Sequence, residues 1–231
     1  MDTAFTEDEA AAFIGRSCFV PGTSRRVGVE LEWLVDPCTA PVQGVRLPFG
    51  SAVTREPGGQ VELSSLPADD LFACIAAAEA DQAALRTALA ERGLSIRDGG
   101  IDAGREPERL LAHPRYQAME VYYDRQGPWG RTMMCSTASI QVNLDAGDDG
   151  DGPSGIVHRW HLAHRIGPVL VAAFANSPLL DGRADEWKSA RQAIWARMDP
   201  GRTRPMPDIE DPRTGYAQYA LDAEVICVRP A

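Results

Sequence analysis

VGVELEWLV, from Val27 to Val35, alternates apolar and other residues with a period of two. Successive side chains of a β-strand point to opposite faces, so Glu30 and Glu32 share one face while Val29, Leu31 and Trp33 share the other. Arg26 to Val35 therefore reads as a strand whose apolar face is buried, ended by Asp36-Pro37. Two more segments divide in the same way. Ser51 to Glu56 and Gln60 to Ser64 read as strands around the turn Pro57-Gly58-Gly59, because Pro presets one turn dihedral and Gly tolerates positive φ. Gln60, Glu62 and Ser64 then lie opposite Val61 and Leu63. A strand predicted over Thr132 to Asp145 sets Gln141, Asn143 and Asp145 opposite Ile140, Val142 and Leu144.

If these strands are neighbours, about 4.8 Å apart and with about 7 Å between same-face residues, their carboxylates and amide oxygens converge on one patch. Like charges about 5 Å apart repel by roughly 3 kcal/mol at an effective dielectric near 20, so such a patch takes up protons or recruits cations. Oxygen donors without His or Cys suit Mg²⁺ or Mn²⁺ held partly by protein and partly by the phosphates of a nucleotide. The alternative is an ordinary solvated sheet face. Such faces usually mix in Lys, Arg and Thr, whereas these hold acids, amides and Ser.

Around the strands the pattern is helical. Thr6 with Glu9 makes a capping box for a helix to about Ile14. Asp69 to Arg92, with Leu71, Phe72, Ile75, Ala78, Leu85 and Leu89 near helical spacing, ends at Gly93. A short strand is predicted over Leu94 to Arg97 and helices over Arg115–Tyr123, Ile156–Ala175 with Pro168 inside, and Trp187–Met198; Trp187 and Trp195 then pack on one side of the last. Arg202 to Arg213, with three prolines, reads as extended loop. Strands mixed with helices but without βαβ alternation predict an α+β fold with a largely antiparallel sheet, and 231 residues suit a single domain, 1–231.

Composition narrows the partners. A formal charge of -10 argues against a nucleic-acid binder, although Arg183, Lys188, Arg191, Arg197, Arg202 and Arg204 form a local basic cluster. No apolar run reaches the ~20 residues that cross a bilayer and the N-terminus has acid where a secretory signal has positive charge, so no membrane partner and a cytoplasmic location are expected. Five cysteines without a CxxC pair predict reduced thiols, with Cys135 a small buried hydrophobe. His158, His161 and His164 fan around a predicted helix and lack the i, i+4 spacing of a zinc site.

VGVELEWLV, TREPGGQVELSS, HPRYQAMEVYYDRQG, MMCSTASIQVNLDAG and WKSARQAIWARMDPGRT together resemble the glutamate-cysteine ligases of the plant and bacterial kind, most of all those that supply γ-glutamylcysteine for ergothioneine synthesis. The resemblance runs from about Phe5 to the last residues. It implies a glutamine-synthetase-like fold, a curved antiparallel sheet whose concave face holds ATP, divalent metal and glutamate. On the matching motifs, Glu30, Glu32, Glu62 and Gln141 correspond to metal ligands, with Asn143 beside them in the nucleotide and metal site. Arg191 and Arg202 correspond to residues that grip phosphate or the substrate carboxylate. The implied reaction joins the γ-carboxylate of glutamate to the amine of cysteine through γ-glutamyl phosphate, with Mg²⁺ or Mn²⁺ and ATP. Members of that family are longer, so the chain is expected to be the N-terminal part of a longer family domain, its sheet incomplete at the C-terminus. A weakly active or inactive fragment that self-associates through apolar sheet surface, and a ligase using a different amine, remain open alternatives.

Overall fold

In the computed structural model, residues 6–97, 99–180, 183–184, 186–204, 206 and 210–228 are described. Their elements run α1 (Glu7–Cys18), β1 (Val27–Asp36), β2 (Ala52–Arg55), β3 (Val61–Ser64), α2 (Leu71–Glu91), β4 (Ser95–Arg97), α3 (Pro114–Tyr123), α4 (Trp129–Ser136), β5 (Ile140–Leu144), α5 (Ile156–Phe174), β6 (Leu179–Leu180), β7 (Arg183–Ala184), α6 (Ala190–Met198), α7 (Pro200–Thr203) and α8 (Pro212–Asp222). Two compact units result. One takes its described residues from 25–144 and 175–199 and holds the main sheet; the other takes them from 1–24, 145–174 and 200–230 and is helical. All strand pairs are antiparallel, so the fold is α+β with an open antiparallel sheet.

The sheet unit is organised by β1. It pairs with β3 along one edge, and with β5 and then β4 along the other, while β2 flanks β3. Beneath it lie Val35, Val42, Leu47, Val61, Leu63, Leu85, Leu89 and Leu94, joined by the partly buried Leu31 and Trp33. The helix that closes this core, α2, is capped by the Asp70 carboxylate, which accepts from the Ala73 N–H at 2.9 Å. It buries Cys74, Ala78, Asp81, Leu85 and Leu89 and leaves Leu71, Phe72 and Ile75 exposed, so its inward stripe is shifted from the one expected. Asp81 is tolerated inside because it accepts from the Phe49 N–H at 2.7 Å and the Ser51 N–H at 3.0 Å, tying the loop before β2 to the helix.

The Pro57-Gly58-Gly59 turn forms as the sequence requires. The Glu56 N–H donates to the Gln60 carbonyl at 2.9 Å and the Gly59 N–H to the Glu56 carbonyl at 2.8 Å, with Gly59 at φ +88°. Backbone crowds it on both sides: a Cβ on Gly58 would lie 1.9 Å from the Cys135 carbonyl oxygen, and one on Gly59 2.4 Å from that of Cys38. Arg55 completes the clamp by donating to the Cys38, Ala40 and Gly59 carbonyls. The turn is thereby fixed against the C-terminal end of α4.

In the helical unit, the capping box of α1 is formed: Thr6 Oγ1 accepts from the Glu9 N–H at 3.2 Å and Glu9 Oε2 from the Thr6 N–H at 2.8 Å. Here α1 packs on α8, and Phe19, Trp160 and Tyr216 make an aromatic cluster with centroids 5.4 to 6.1 Å apart. His164 accompanies it, its ring 4.4 Å from that of Trp160.

Four further expectations are corrected. The predicted strand over Thr132–Asp145 is α4 followed by the shorter β5, so Cys135 is helical, though buried as expected; Met133 and Met134 favour helix. The apolar side of β5 is not buried, with Ile140 at 75% and Val142 at 62% exposure. Helix α6 begins only after Ser189, whose side chain accepts from the Gln192 N–H at 3.2 Å, so Trp187 precedes it and is exposed. Finally, part of Arg202–Arg213 is helical, because Pro200 opens α7 and Pro212 opens α8 behind the Asp211 cap; a proline in the first helical turn is a start signal. Residues 205 and 207–209 of that stretch lie outside the described residues.

Candidate active site

The register of three strands decides which acids meet. Glu32 of β1 lies directly opposite Glu62 of β3, Glu30 lies between Ser64 of β3 and Gln141 of β5, and Thr54 of β2 faces Glu62. Directly opposed residues in an antiparallel pair have Cβ atoms about 5 Å apart on the same face. Glu30, Glu32, Glu62, Gln141 and Asn143 therefore share one side of the sheet, opposite the core side of Leu31, Trp33 and Leu63, as the alternation predicted.

Each carboxylate is turned to a neighbouring donor. Glu30 accepts from Asn143 Nδ2 at 3.3 Å, and Glu32 from Gln141 Nε2 at 3.2 Å and the Ser139 N–H at 3.0 Å. Glu62 accepts from Ser64 Oγ at 2.8 Å and Thr54 Oγ1 at 3.2 Å. Among the described residues no group of three or more His, Cys, Asp or Glu side chains is gathered closely enough to hold one ion. The donor set nonetheless has the chemistry a hard dication needs, all oxygen and strongly acidic. Gathering it requires these side chains to exchange amide and hydroxyl partners for an ion.

Electrostatics mark the patch as short of positive charge. Glu56, just beyond β2 and two residues from Thr54, is pushed up to about 7 by burial and by Glu62 and Glu32, with Arg115 opposing and Glu30 adding. The Glu32 carboxyl is raised by burial and by Glu62, while the Ser139 hydrogen bond and the Arg191 charge pull it down. Arg191, in the first turn of α6 with its N–H held by Ser177 Oγ at 3.2 Å, is lowered by burial and sustained by Glu32. Its Nε is buried without a hydrogen-bond partner among the described residues.

Beside the acidic patch opens a cleft of about 490 Å³ that includes Glu32, Glu56, Gln60, Gln141, Arg115 and Arg191 in its walls. Met119, Met133, Met134, Ile140 and Trp195 give it an apolar side. A second cleft of about 510 Å³, between α1 and α8 in the helical unit, is as large. Volume does not choose between them. Residue types do not either, since the second also holds Glu7, Asp8, Asp222, Arg16 and Arg213 beside alanines and Leu221; position does, because the first adjoins the opposed Glu32 and Glu62 and contains the raised Glu56 and the buried Gln60.

Six of the seven sequence-predicted site residues thus fall in the sheet unit on or beside one face. Arg202 belongs to the helical unit, where it lies in α7 and donates to the Glu224 carbonyl. Sequence reasoning missed Glu56 and Arg115 as site residues, and set Gln60 on the carboxylate face without naming it as one. Glu56 could have been found by the period-two rule, being two residues from a position that faces Glu62; Arg115 could not, since it is brought in by α3 from far along the chain.

A family model described as glutamate-cysteine ligase family 2 (GCS2) matches residues 17–230. The chain is 42% identical over 249 aligned positions to the glutamate-cysteine ligase EgtA of Mycobacterium tuberculosis, covering 99% of this chain and 56% of that protein. It is 40% identical to EgtA of Mycolicibacterium smegmatis, covering 96% and 55%. The chloroplastic glutamate-cysteine ligase of Medicago truncatula is 31% identical, covering 77% and 35%. The chain spans about half the length of the EgtA proteins it matches. With a match over nearly all of its residues, this chain belongs to glutamate-cysteine ligase family 2.

Proposed function

We propose that this chain forms the carboxylate-lined floor and the amino-acid cleft of an ATP-dependent ligase that joins the γ-carboxylate of glutamate to the amine of cysteine. The observation that carries the reading is Glu32 directly opposite Glu62, flanked by Glu30 and Gln141, at the edge of a cleft that also holds Arg191. In this reading the sheet is of the curved, glutamine-synthetase-like kind. Glu30, Glu32, Glu62 and Gln141 hold Mg²⁺ or Mn²⁺, with Asn143 orienting Glu30 through its amide. A bound dication supplies charge neutralisation and alignment of the triphosphate.

The protein's own part is positioning. The carboxylate face sets the γ-phosphate of ATP in line with the γ-carboxylate of glutamate; a carboxylate oxygen bonds to phosphorus as ADP leaves, giving γ-glutamyl phosphate. The amine of cysteine then bonds to the acyl carbon, inorganic phosphate leaves and the nitrogen releases its proton. Arg191, half-buried with an unpartnered Nε, holds a carboxylate or phosphoryl oxygen with a charge-assisted hydrogen bond. Arg202 is assigned a similar contact on the strength of its motif alone. The apolar wall of the cleft limits water, which would otherwise hydrolyse the acyl phosphate.

The test is phosphate release from ATP by the purified chain with glutamate and cysteine. Release that requires cysteine and a divalent ion supports the reading; release indifferent to either refutes it. The exposed apolar side of β5 favours a second reading, in which the chain binds Mg-ATP and amino acids without full turnover. Calorimetric binding of Mg-ATP without phosphate release selects that one.

A further inference from the structure

Gln60 is 2% exposed and lines the cleft. Its Nε2 donates to the Thr137 carbonyl at 2.8 Å and lies 3.4 Å from the Met134 carbonyl. Both partners only accept, so the amide nitrogen must face them and the flipped orientation is excluded. Gln60 Oε1 is then left buried with no hydrogen-bond donor among the described residues, a rare condition for an acceptor stripped of water. The turn that carries it cannot shift to relieve this, since Gly58 and Gly59 are in backbone contact on both sides.

We propose that Gln60 Oε1 accepts an N–H from the α-amino group of the acceptor amino acid, which makes Gln60 a positioning residue for the amine. The inference rests on the ligase reading above and names the part of the cleft that recognises the acceptor. An α-amino acid carries a donor-rich amine and an anionic carboxylate on one carbon. The cleft offers matching groups, acceptors at Gln60 and Glu56 and guanidiniums at Arg115 and Arg191. The thioethers of Met119, Met133 and Met134 with Trp195 and Ile140 suit a short uncharged thiol side chain better than a second carboxylate. A neutral amide oxygen also orients an amine without adding negative charge, which would favour the unreactive ammonium.

The test compares L-cysteine with 3-mercaptopropionate, its analogue without the amino group, by calorimetric titration in the presence of Mg-ATP. The wild-type protein is expected to bind L-cysteine at least tenfold more tightly, and in Gln60→Met that preference falls about tenfold while affinity for 3-mercaptopropionate is unchanged. A merely structural role weakens both ligands equally and keeps the ratio, which overturns the inference. Should Gln60→Met fail to fold, the wild-type side-chain ¹³Cδ resonance of Gln60 decides: it shifts with L-cysteine and not with 3-mercaptopropionate, and an equal response to both overturns the proposal. If wild-type protein binds L-cysteine but Gln60→Met keeps the preference, only this inference fails. If L-cysteine does not bind at all, the ligase reading fails with it.

Discussion

Replacing Glu56 by glutamine tests whether the acidic face is under electrostatic stress. Burial, then Glu62 and Glu32, raise this carboxyl from its ordinary 4.5 to about 7. Between those values the folded protein keeps a proton that the unfolded chain has released, so stability falls as pH rises through the window and levels off above about 7. At roughly 1.4 kcal/mol per pH unit the limit is about 3 kcal/mol, and solvent screening of this half-buried group reduces it to about 1–2 kcal/mol. Glu56→Gln cannot ionise and loses none of it. Urea denaturation of both proteins at pH 5, 6, 7 and 8 checks this. The variant should gain about 1–2 kcal/mol on the wild type between pH 5 and pH 8, and losing the Glu56 charge also relieves Glu32, which moves the difference in the same direction. Added Mn²⁺ should raise the wild-type midpoint more at pH 8 than at pH 5, because an ionised patch attracts a dication more strongly. Parallel curves across the pH range would mean that Glu56 does not feel Glu32 and Glu62, and the convergence of acids would be wrong.

Gly58→Ala should cost about 3 kcal/mol in the same denaturation assay, because its Cβ would meet the Cys135 carbonyl at 1.9 Å and backbone on that side cannot rotate away. Arg191→Met should weaken calorimetric binding of L-glutamate or L-cysteine about tenfold or more without lowering stability, since the guanidinium is half-buried with an unpartnered Nε. Thiol labelling under native conditions should modify the exposed Cys18 and Cys227 and spare Cys74 and Cys135 until the protein unfolds; burial first, and Glu120 next, push the Cys135 thiol up to about 12 and suppress its thiolate.

The site was more legible in the sequence than the connections around it. The period-two alternation of Val29 to Trp33 and of Val61 to Ser64 separates core from polar face by geometry alone, and a strand has no other way to satisfy it. Register was not legible. That Glu32 faces Glu62 follows from the short Pro57-Gly58-Gly59 turn and from the pairing of β3 with β1 across an intervening loop, which depends on packing in three dimensions. Helix ends were found where a cap spoke plainly, as at Thr6 and Gly93, and mistaken where a proline had two meanings, as at Pro212. The buried Asp81 was invisible because its partners, the Phe49 and Ser51 amides, lie on a remote loop.

A protein selected for stability alone would not gather Glu30, Glu32, Glu56 and Glu62 on and beside one sheet face, where Arg191 opposes Glu32 and Arg115 opposes Glu56. Each acid is tolerated through a local device: Asn143 for Glu30, Gln141 and the Ser139 amide for Glu32, Ser64 and Thr54 for Glu62, and a retained proton for Glu56. These devices are neutral donors and a proton, which a cation displaces more readily than it would displace a lysine or arginine already paired with each carboxylate. Because the apolar side of the same strands is locked into the core by Val61, Leu63 and Val35, the repulsion cannot be relieved by turning the strands over. The sequence that folds the sheet is therefore the one that keeps its acids together, and a cation bound there would recover the stability lost.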